Sequence, residues 1–227
     1  MRRRDLLAAA MAAGIAPQTQ AAGRPVLLEL FTSQGCSSCP PADALLGRLA
    51  RQPAVIALAW HVDYWNHLGW RDPFASREAT VRQQAYARRL GSVVFTPALV
   101  INGASVVVGS DSAAVEQAID AAGALPVPVT LSRTKDGVAV AIGPGTGPMR
   151  ALRVVYDLEH ATDVGAGENE GARLREYRVV REAESLGEWD GGKRRFTVTL
   201  PEPGHGQVIM VQSPDLRVLG AADLPLG

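Results

Sequence analysis

Cysteine is nearly absent from this chain: its 227 residues contain two, Cys36 and Cys39, and both belong to one Cys-x-x-Cys motif. A secreted fold braced by disulfides spreads more cysteines along the sequence, so a cross-linked scaffold is excluded and reactivity becomes the reason for the pair. An excess of charge is also lacking, since 23 Lys and Arg balance 23 Asp and Glu. That balance gives no footing for nucleic acid binding. Beyond the N-terminus no apolar run is long enough for a membrane helix. The stretch Gly143 to Pro148 lacks the Gly-Lys-Ser/Thr ending of a phosphate loop, and the Gly-rich, acidic stretch Asp163 to Gly171 lacks EF-hand spacing. The acidic stretch reads as a solvated loop rather than a calcium site.

What is present begins with a leader. Met1-Arg2-Arg3-Arg4 precedes eleven apolar residues, Leu6 to Ala16, and a small-residue site ends at Ala21. This is the pattern of a signal peptide over residues 1–21, and Arg3-Arg4-Asp5-Leu6-Leu7 fits a twin-arginine signal as well as a general secretory one. The expected compartment is periplasmic or extracellular. Removal of the leader takes three Arg and one Asp, leaving 206 residues with 20 basic and 22 acidic side chains.

The most informative stretch is VLLELFTSQGCSSCPPADALLGRL, residues 26–49. Val26 to Phe31 is a short buried-type strand, and Leu45, Leu46 and Leu49 recur at helical spacing. Pro40 and Pro41 fit only the first positions of a helix, where their missing N–H groups cost no intrahelical bond. The cysteines therefore stand at a helix start. Free N–H groups and the positive dipole end favour thiolate there, and can draw a thiol from ~8.5 down to roughly 3.5–7.5. Cys36, nearer the turn, is the expected nucleophile and Cys39 the resolving thiol.

Val55 to His61 is a second buried strand, joined by a crossover and therefore parallel to the first. His61 then leaves the sheet on the dithiol edge, where open α/β sheets bind ligands. The segment Asp63-Tyr64-Trp65-Asn66-His67-Leu68-Gly69-Trp70-Arg71-Asp72-Pro73-Phe74 concentrates aromatic and titratable groups and is either a lid on the core or a recognition surface beside Cys36. Ser76 caps a helix that Gly91 ends. Thr96-Pro97 enters a strand, Asn102-Gly103 turns it into a hairpin with Ser105 to Val108, and Ser110 or Asp111 starts a last helix to Ala122.

This order, with Cys-x-x-Cys at a helix start and Thr-Pro before the hairpin, resembles the thioredoxin-like superfamily. FTSQGCSSCPPAD, WHVDYWNHLGWRDPF and FTPALVING further resemble a family of secreted bacterial thioredoxin-like proteins classed as a domain of unknown function. The resemblance implies a βαβαββα domain over residues 24–123. It also implies a cis peptide before Pro97, with Thr96 and Pro97 presenting backbone to a substrate chain. His61, Asp63, Tyr64, Trp65 and His67 would complete the substrate surface. Glu29 stands one residue out of register with thioredoxin's buried acid, and a one-residue longer turn would make it the proton acceptor for Cys39; otherwise it is an edge carboxylate facing water. Gly35 and Ser37-Ser38 depart from thioredoxin's own residues, so no redox potential carries over.

The Pro-rich segment Gly123 to Pro128 suggests a boundary. After it come seven short alternating runs: 127–132, 137–142, 151–157, 173–180, 194–200, 206–212 and 218–222. They predict an all-β antiparallel sandwich-like domain over residues 124–227. Three functions fit these features. One is a thiol–disulfide oxidoreductase that acts on protein dithiols or disulfides through the redox-active Cys36–Cys39 pair, with no organic cofactor. Another is copper or zinc handling by Cys36 and Cys39 with His61 or His67. The third is a binding module that does not turn over.

Overall fold

The computed structural model describes residues 25–225; the expected leader lies outside them. No helix among the described residues is long and apolar enough to cross a membrane.

The first half runs β1 (Val26–Thr32), α1 (Pro40–Leu49), β2 (Val55–His61), a 3-10 turn (Asn66–Leu68), α2 (Arg77–Leu90), β3 (Ala98–Ile101), β4 (Ser105–Val108) and α3 (Ser112–Ala121). This is the expected βαβαββα order. Local chemistry sets the ends: both prolines occupy the first turn of α1, Ser76 Oγ accepts from Ala79 N at 3.1 Å, and Gly91 closes α2 in the left-handed region. The β3–β4 turn places Asn102 and Gly103 both at positive φ, the backbone that Asn-Gly tolerates best.

The second half contributes β5 (Val129–Thr134), β6 (Gly137–Ile142), β7 (Pro148–Asp163), β8 (Arg173–Asp190), β9 (Arg194–Val198), β10 (His205–Gln212) and β11 (Val218–Pro225). All seven expected strands exist, yet they do not form a separate domain. Strands β7, β8, β10 and β11 extend the first sheet into one mixed eight-stranded sheet, ordered β11-β10-β7-β8-β2-β1-β3-β4. Strand β8 joins it beside β2, where Ala59 pairs with Val179. The sandwich is real but shares a layer: the three-stranded sheet β5-β6-β9 covers β7, β10, β11 and the far end of β8, closing a core of Val138, Val140, Ile142, Ala151, Ile209 and Val211. Residues 123–128 thus end α3 without ending the sheet.

Successive strand residues face opposite sides. Leu28, Leu30, Ala57 and Ala59 pack against Leu45, Leu46 and Leu49 of α1 and Val115 of α3. Leu27, Phe31, Leu58 and Trp60 pack on the other side with Ala79 and Tyr86 of α2 and with Val154 and Met210. Full burial of such a side chain contributes roughly 1.5–3 kcal/mol, so both faces are cores in their own right. The alternation places Thr32 and His61 on the α1 face and Glu29 on the α2 face.

Candidate functional site around the Cys36–Cys39 disulfide

Strand β1 runs out at Thr32, and the chain turns through Ser33-Gln34-Gly35, with Ser33 Oγ accepting from Gly35 N at 3.1 Å. Cys36 and Cys39 are joined by a disulfide in the turn that leads into α1. Cys39 is the N-cap residue with helical backbone, and its carbonyl accepts from Ala42 N and Asp43 N. Both sulfurs lie inside: Cys36 is 1% and Cys39 0% exposed. Exposure therefore does not single out Cys36, the expected nucleophile, in the disulfide form.

The Thr96–Pro97 peptide is cis. Pro97 reaches the α1 face because Gly109 lacks a side chain; a Cβ there would lie 2.8 Å from Leu30, 3.2 Å from Ala42 and 3.5 Å from Pro97. Trp65 links this segment to the dithiol turn. Its indole Nε1 donates to Thr96 Oγ1 at 2.8 Å, and a Cβ at Gly35 would meet its Cβ at 3.0 Å and its carbonyl at 3.4 Å. The loop after β2 thus packs closely on the glycine that precedes the first cysteine.

The remaining expected residues fall in different places. Asp63 Oδ1 accepts from Thr80 Oγ1 at 2.6 Å, anchoring the loop to α2. The Tyr64 phenol is held above its ordinary range by burial. His67 is exposed, its Nδ1 2.7 Å from the Tyr64 carbonyl. His61 is not at an open edge. It lies buried, with Nδ1 2.7 Å from Asp72 Oδ2 and, among the described residues, with no partner for Nε2.

Glu29 requires a correction. It is buried on the face opposite α1, where Arg82 grips it through Nε at 2.5 Å and Nη2 at 2.9 Å and Tyr86 Oη donates at 2.5 Å. Being neither a water-facing carboxylate nor on the dithiol side of the sheet, it is a structural anion. Strand parity is the reason, since Glu29 alternates with Leu28 and Leu30.

The buried acid on the dithiol face is Asp43, one helical turn after Cys39. Its Oδ2 accepts from Thr32 Oγ1 at 3.1 Å, and burial lifts its carboxyl to about 7 against the pull of His61. Around it lie three further buried ionisable groups. Burial alone would lower the His61 imidazole, but Asp72, Glu176 and Asp43 together hold it above its ordinary value. Burial likewise opposes the Asp72 anion, yet His61 and the amides of Gln34 and Phe74 keep its carboxyl below the usual range. Glu176, on β8, is raised by burial. Gln34 ties these groups together: its Nε2 donates to Glu176 Oε1 at 2.7 Å and Thr162 Oγ1 at 2.9 Å, while its backbone N donates to Asp72 Oδ2 at 2.9 Å.

The acidic stretch 163–171 is no free loop. It joins β7 to β8 and lies as a strap on the dithiol turn: Asn169 Nδ2 donates to the carbonyls of Gln34 at 2.9 Å and Cys36 at 3.0 Å, and Glu168 Oε2 accepts from Ser37 N at 3.0 Å. Gly165 and Gly167 pass so close to Trp70 that a Cβ would come within 3.2 Å and 3.3 Å of its side chain. Among the described residues, no three His, Cys, Asp or Glu side chains are placed to hold a metal ion.

Residues 27–212 match the family described as Protein of unknown function (DUF1223). The chain belongs to this family. A similar fold is seen in an X-ray crystal structure of a protein from Agrobacterium tumefaciens, which is 31% identical, aligns over 89% of this chain and 94% of its own, and superposes with a TM-score of 0.76. No curated protein matches the chain. The match runs across the region around residue 123 without interruption, in keeping with the single shared sheet. Of the residues around the disulfide that sequence reasoning passed over, Asp43 was findable from its four-residue spacing after Cys39. Asp72 sat in the aromatic segment without a role, Asn169 lay in the stretch read as a solvated loop, and Glu176 had no local signal at all.

Proposed function

We propose that the protein is an extracytoplasmic thiol–disulfide oxidoreductase with a thioredoxin-like first half. Cys36 thiolate attacks a disulfide of a protein partner, and Cys39 resolves the mixed disulfide. The observation that carries this reading is the Cys36–Cys39 disulfide at the start of α1, with the cis Thr96–Pro97 segment linked to its turn through Trp65. A reactive pair needs a helix N-terminus to hold the thiolate and a nearby backbone to receive the partner chain. Compartment and chemistry agree, because a leader-bearing chain with a lone cysteine pair belongs where disulfides persist.

Trapping tests it. In Cys39→Ala, Cys36 should collect partner proteins as adducts that a reductant releases, and Cys36→Ala should collect none. A trap that stays empty, together with a disulfide that a strong dithiol cannot open in the folded protein, would refute the proposal.

A further inference from the structure

The dithiol turn is fastened from the far half of the sequence by an acidic side chain. Glu168, on the strap between β7 and β8, is exposed, and its Oε2 accepts from Ser37 N at 3.0 Å. Ser37 holds that carboxyl below its ordinary value, so the group is an anion. The amide it takes belongs to the residue after Cys36. Few others at the start of α1 are free to meet a negative charge: Pro40 and Pro41 carry no N–H, Cys39 N donates to the Cys36 carbonyl at 3.2 Å, and Ala42 N and Asp43 N donate to the Cys39 carbonyl at 2.9 and 3.1 Å. The amides of Ser37 and Ser38 are what remain for a charge on Cys36, whose Sγ lies 3.3 Å from Ser38 Oγ. Glu168 already occupies one of them.

In the disulfide Cys36 is neutral, and the carboxylate meets the positive end of α1 unopposed. In the dithiol form a Cys36 thiolate is drawn to the same end, and two anions contend for one partial positive charge. The strap can yield there without unravelling the hairpin. Its base is closed by Val164 N to Ala172 O at 2.9 Å and Gly171 N to Val164 O at 2.8 Å, and Asn169 keeps a separate, uncharged hold on the carbonyls of Gln34 and Cys36. We infer that Glu168 is a redox-sensitive clasp on the dithiol turn, fastening the strap to Ser37 while Cys36 and Cys39 are joined and letting go when Cys36 becomes a thiolate, so that Asn169 alone then holds the strap. The inference rests on the oxidoreductase reading and gives it a positioning residue, acting through Ser37, from the second half of the chain.

By thermodynamic linkage, whatever factor the disulfide contributes to closing the clasp, the clasp contributes to keeping the disulfide. The charge of Glu168 therefore biases the pair toward its oxidised form. Reduction by a dithiol reagent balances as follows: the reagent closes to its own disulfide, the Cys36–Cys39 bond breaks on receiving the two electrons and two protons, and Cys36 then releases its proton to solvent.

Hydrogen exchange of the full-length protein, oxidised and after reduction by dithiothreitol, tests the clasp. Residues 165–170 should exchange about tenfold faster in the reduced wild type. Glu168→Gln keeps an oxygen that accepts from Ser37 N but carries no charge, so this segment should exchange slowly in both forms; Glu168→Ala removes the clasp, and exchange should be fast in both. Equilibration with dithiothreitol reads the same charge as a ratio. Glu168→Gln should reach half reduction at a dithiol-to-disulfide ratio of the reagent about threefold lower than the wild type needs, and about 0.5 M salt should shrink that difference. Equal exchange in the two forms of the wild type, a Glu168→Gln strap that still loosens on reduction, or an unshifted equilibrium overturns the clasp and leaves the redox reading standing. A wild-type disulfide that dithiothreitol cannot open removes both.

Discussion

Replacing Glu29 by Gln should unfold the protein more easily without touching its thiol chemistry. The carboxylate is 1% exposed and takes two bonds from Arg82 and one from Tyr86, while Arg82 also stacks 5.0 Å from the Trp60 ring centre and reaches Gln212 on β10 at 3.3 Å. One buried ion pair thus fastens β1, α2 and β10 together. Gln keeps the shape and one acceptor oxygen, but it leaves the Arg82 charge without its counter-ion. Breaking one side of a buried pair costs about 3–5 kcal/mol, because the surviving charge stays desolvated. The upper half of that range is expected here, since Tyr86 Oη also accepts from Gln212 Nε2 at 2.9 Å and the change strains the whole cluster. Urea unfolding followed by tryptophan fluorescence measures the loss. In the same preparation, both releases of nitrothiobenzoate from Ellman's reagent, the first on attack by Cys36 and the second on closure of the Cys36–Cys39 disulfide, should match the wild type. Stability within about 1 kcal/mol of wild type, or a selectively slowed second release, would refute the assignment of Glu29 as a structural anion and return it to the candidates for Cys39 chemistry.

Trp65→Ala should slow exchange with a protein disulfide by about tenfold or more and exchange with a small disulfide by less than about twofold. Its stability cost should stay below the ~3–5 kcal/mol of a fully buried tryptophan, because the ring is partly exposed; a full loss with unchanged protein exchange would make Trp65 a lid only. Asn169→Ala frees the Gln34 and Cys36 carbonyls and should speed alkylation of Cys36 in the reduced protein, at a cost of about 1–2 kcal/mol; unaltered alkylation would show that the strap does not hold the turn. Stability should also depend on pH through Asp43. Its folded value of about 7 lies above the ordinary 3.8, so the folded state binds the extra proton, and this contribution is full below 3.8 and fades as pH rises to 7. Relative to Asp43→Asn, the wild type should lose roughly 3–4 kcal/mol across that window, read from urea midpoints; parallel curves would contradict the burial argument.

Much of the fold was legible because local chemistry is strict at particular residues. Pro40 and Pro41 could begin a helix but not continue one, Ser76 and Gly91 bracket α2, and Asn102-Gly103 could hardly be anything but a turn. The alternating runs of the second half also located all seven strands. Their ends were missed on β7 and β8, which reach Asp163 and Asp190, since solvent faces both sides of those outer segments and the alternation fades there. Strand parity separated Glu29 from Thr32, but parity does not say which face the dithiol helix covers, so Glu29 was assigned to the wrong side. The expected domain boundary failed for a related reason. Pairing of Ala59 with Val179 spans most of the chain, and no window of sequence carries it.

That pairing brings the second half into the chemistry. Gln34, two residues before Cys36, makes side-chain bonds to Glu176, Thr162 and Trp70, and its carbonyl accepts from Asn169. Three of those four partners come from β7, β8 or the strap between them. Without them the Gln34 amide and the carbonyls of Gln34 and Cys36 would lose their partners, at about 1–3 kcal/mol for each group left buried. The turn could recover only by opening to water, and that would hydrate the site that holds the Asp43 carboxyl and the His61 imidazole above their ordinary values. The antiparallel hairpin is therefore a wall of the dithiol site, and it sets the dielectric around the buried carboxyls there. A first half folded alone could keep its cysteine pair and its cis proline and still lack the environment that lifts the Asp43 carboxyl.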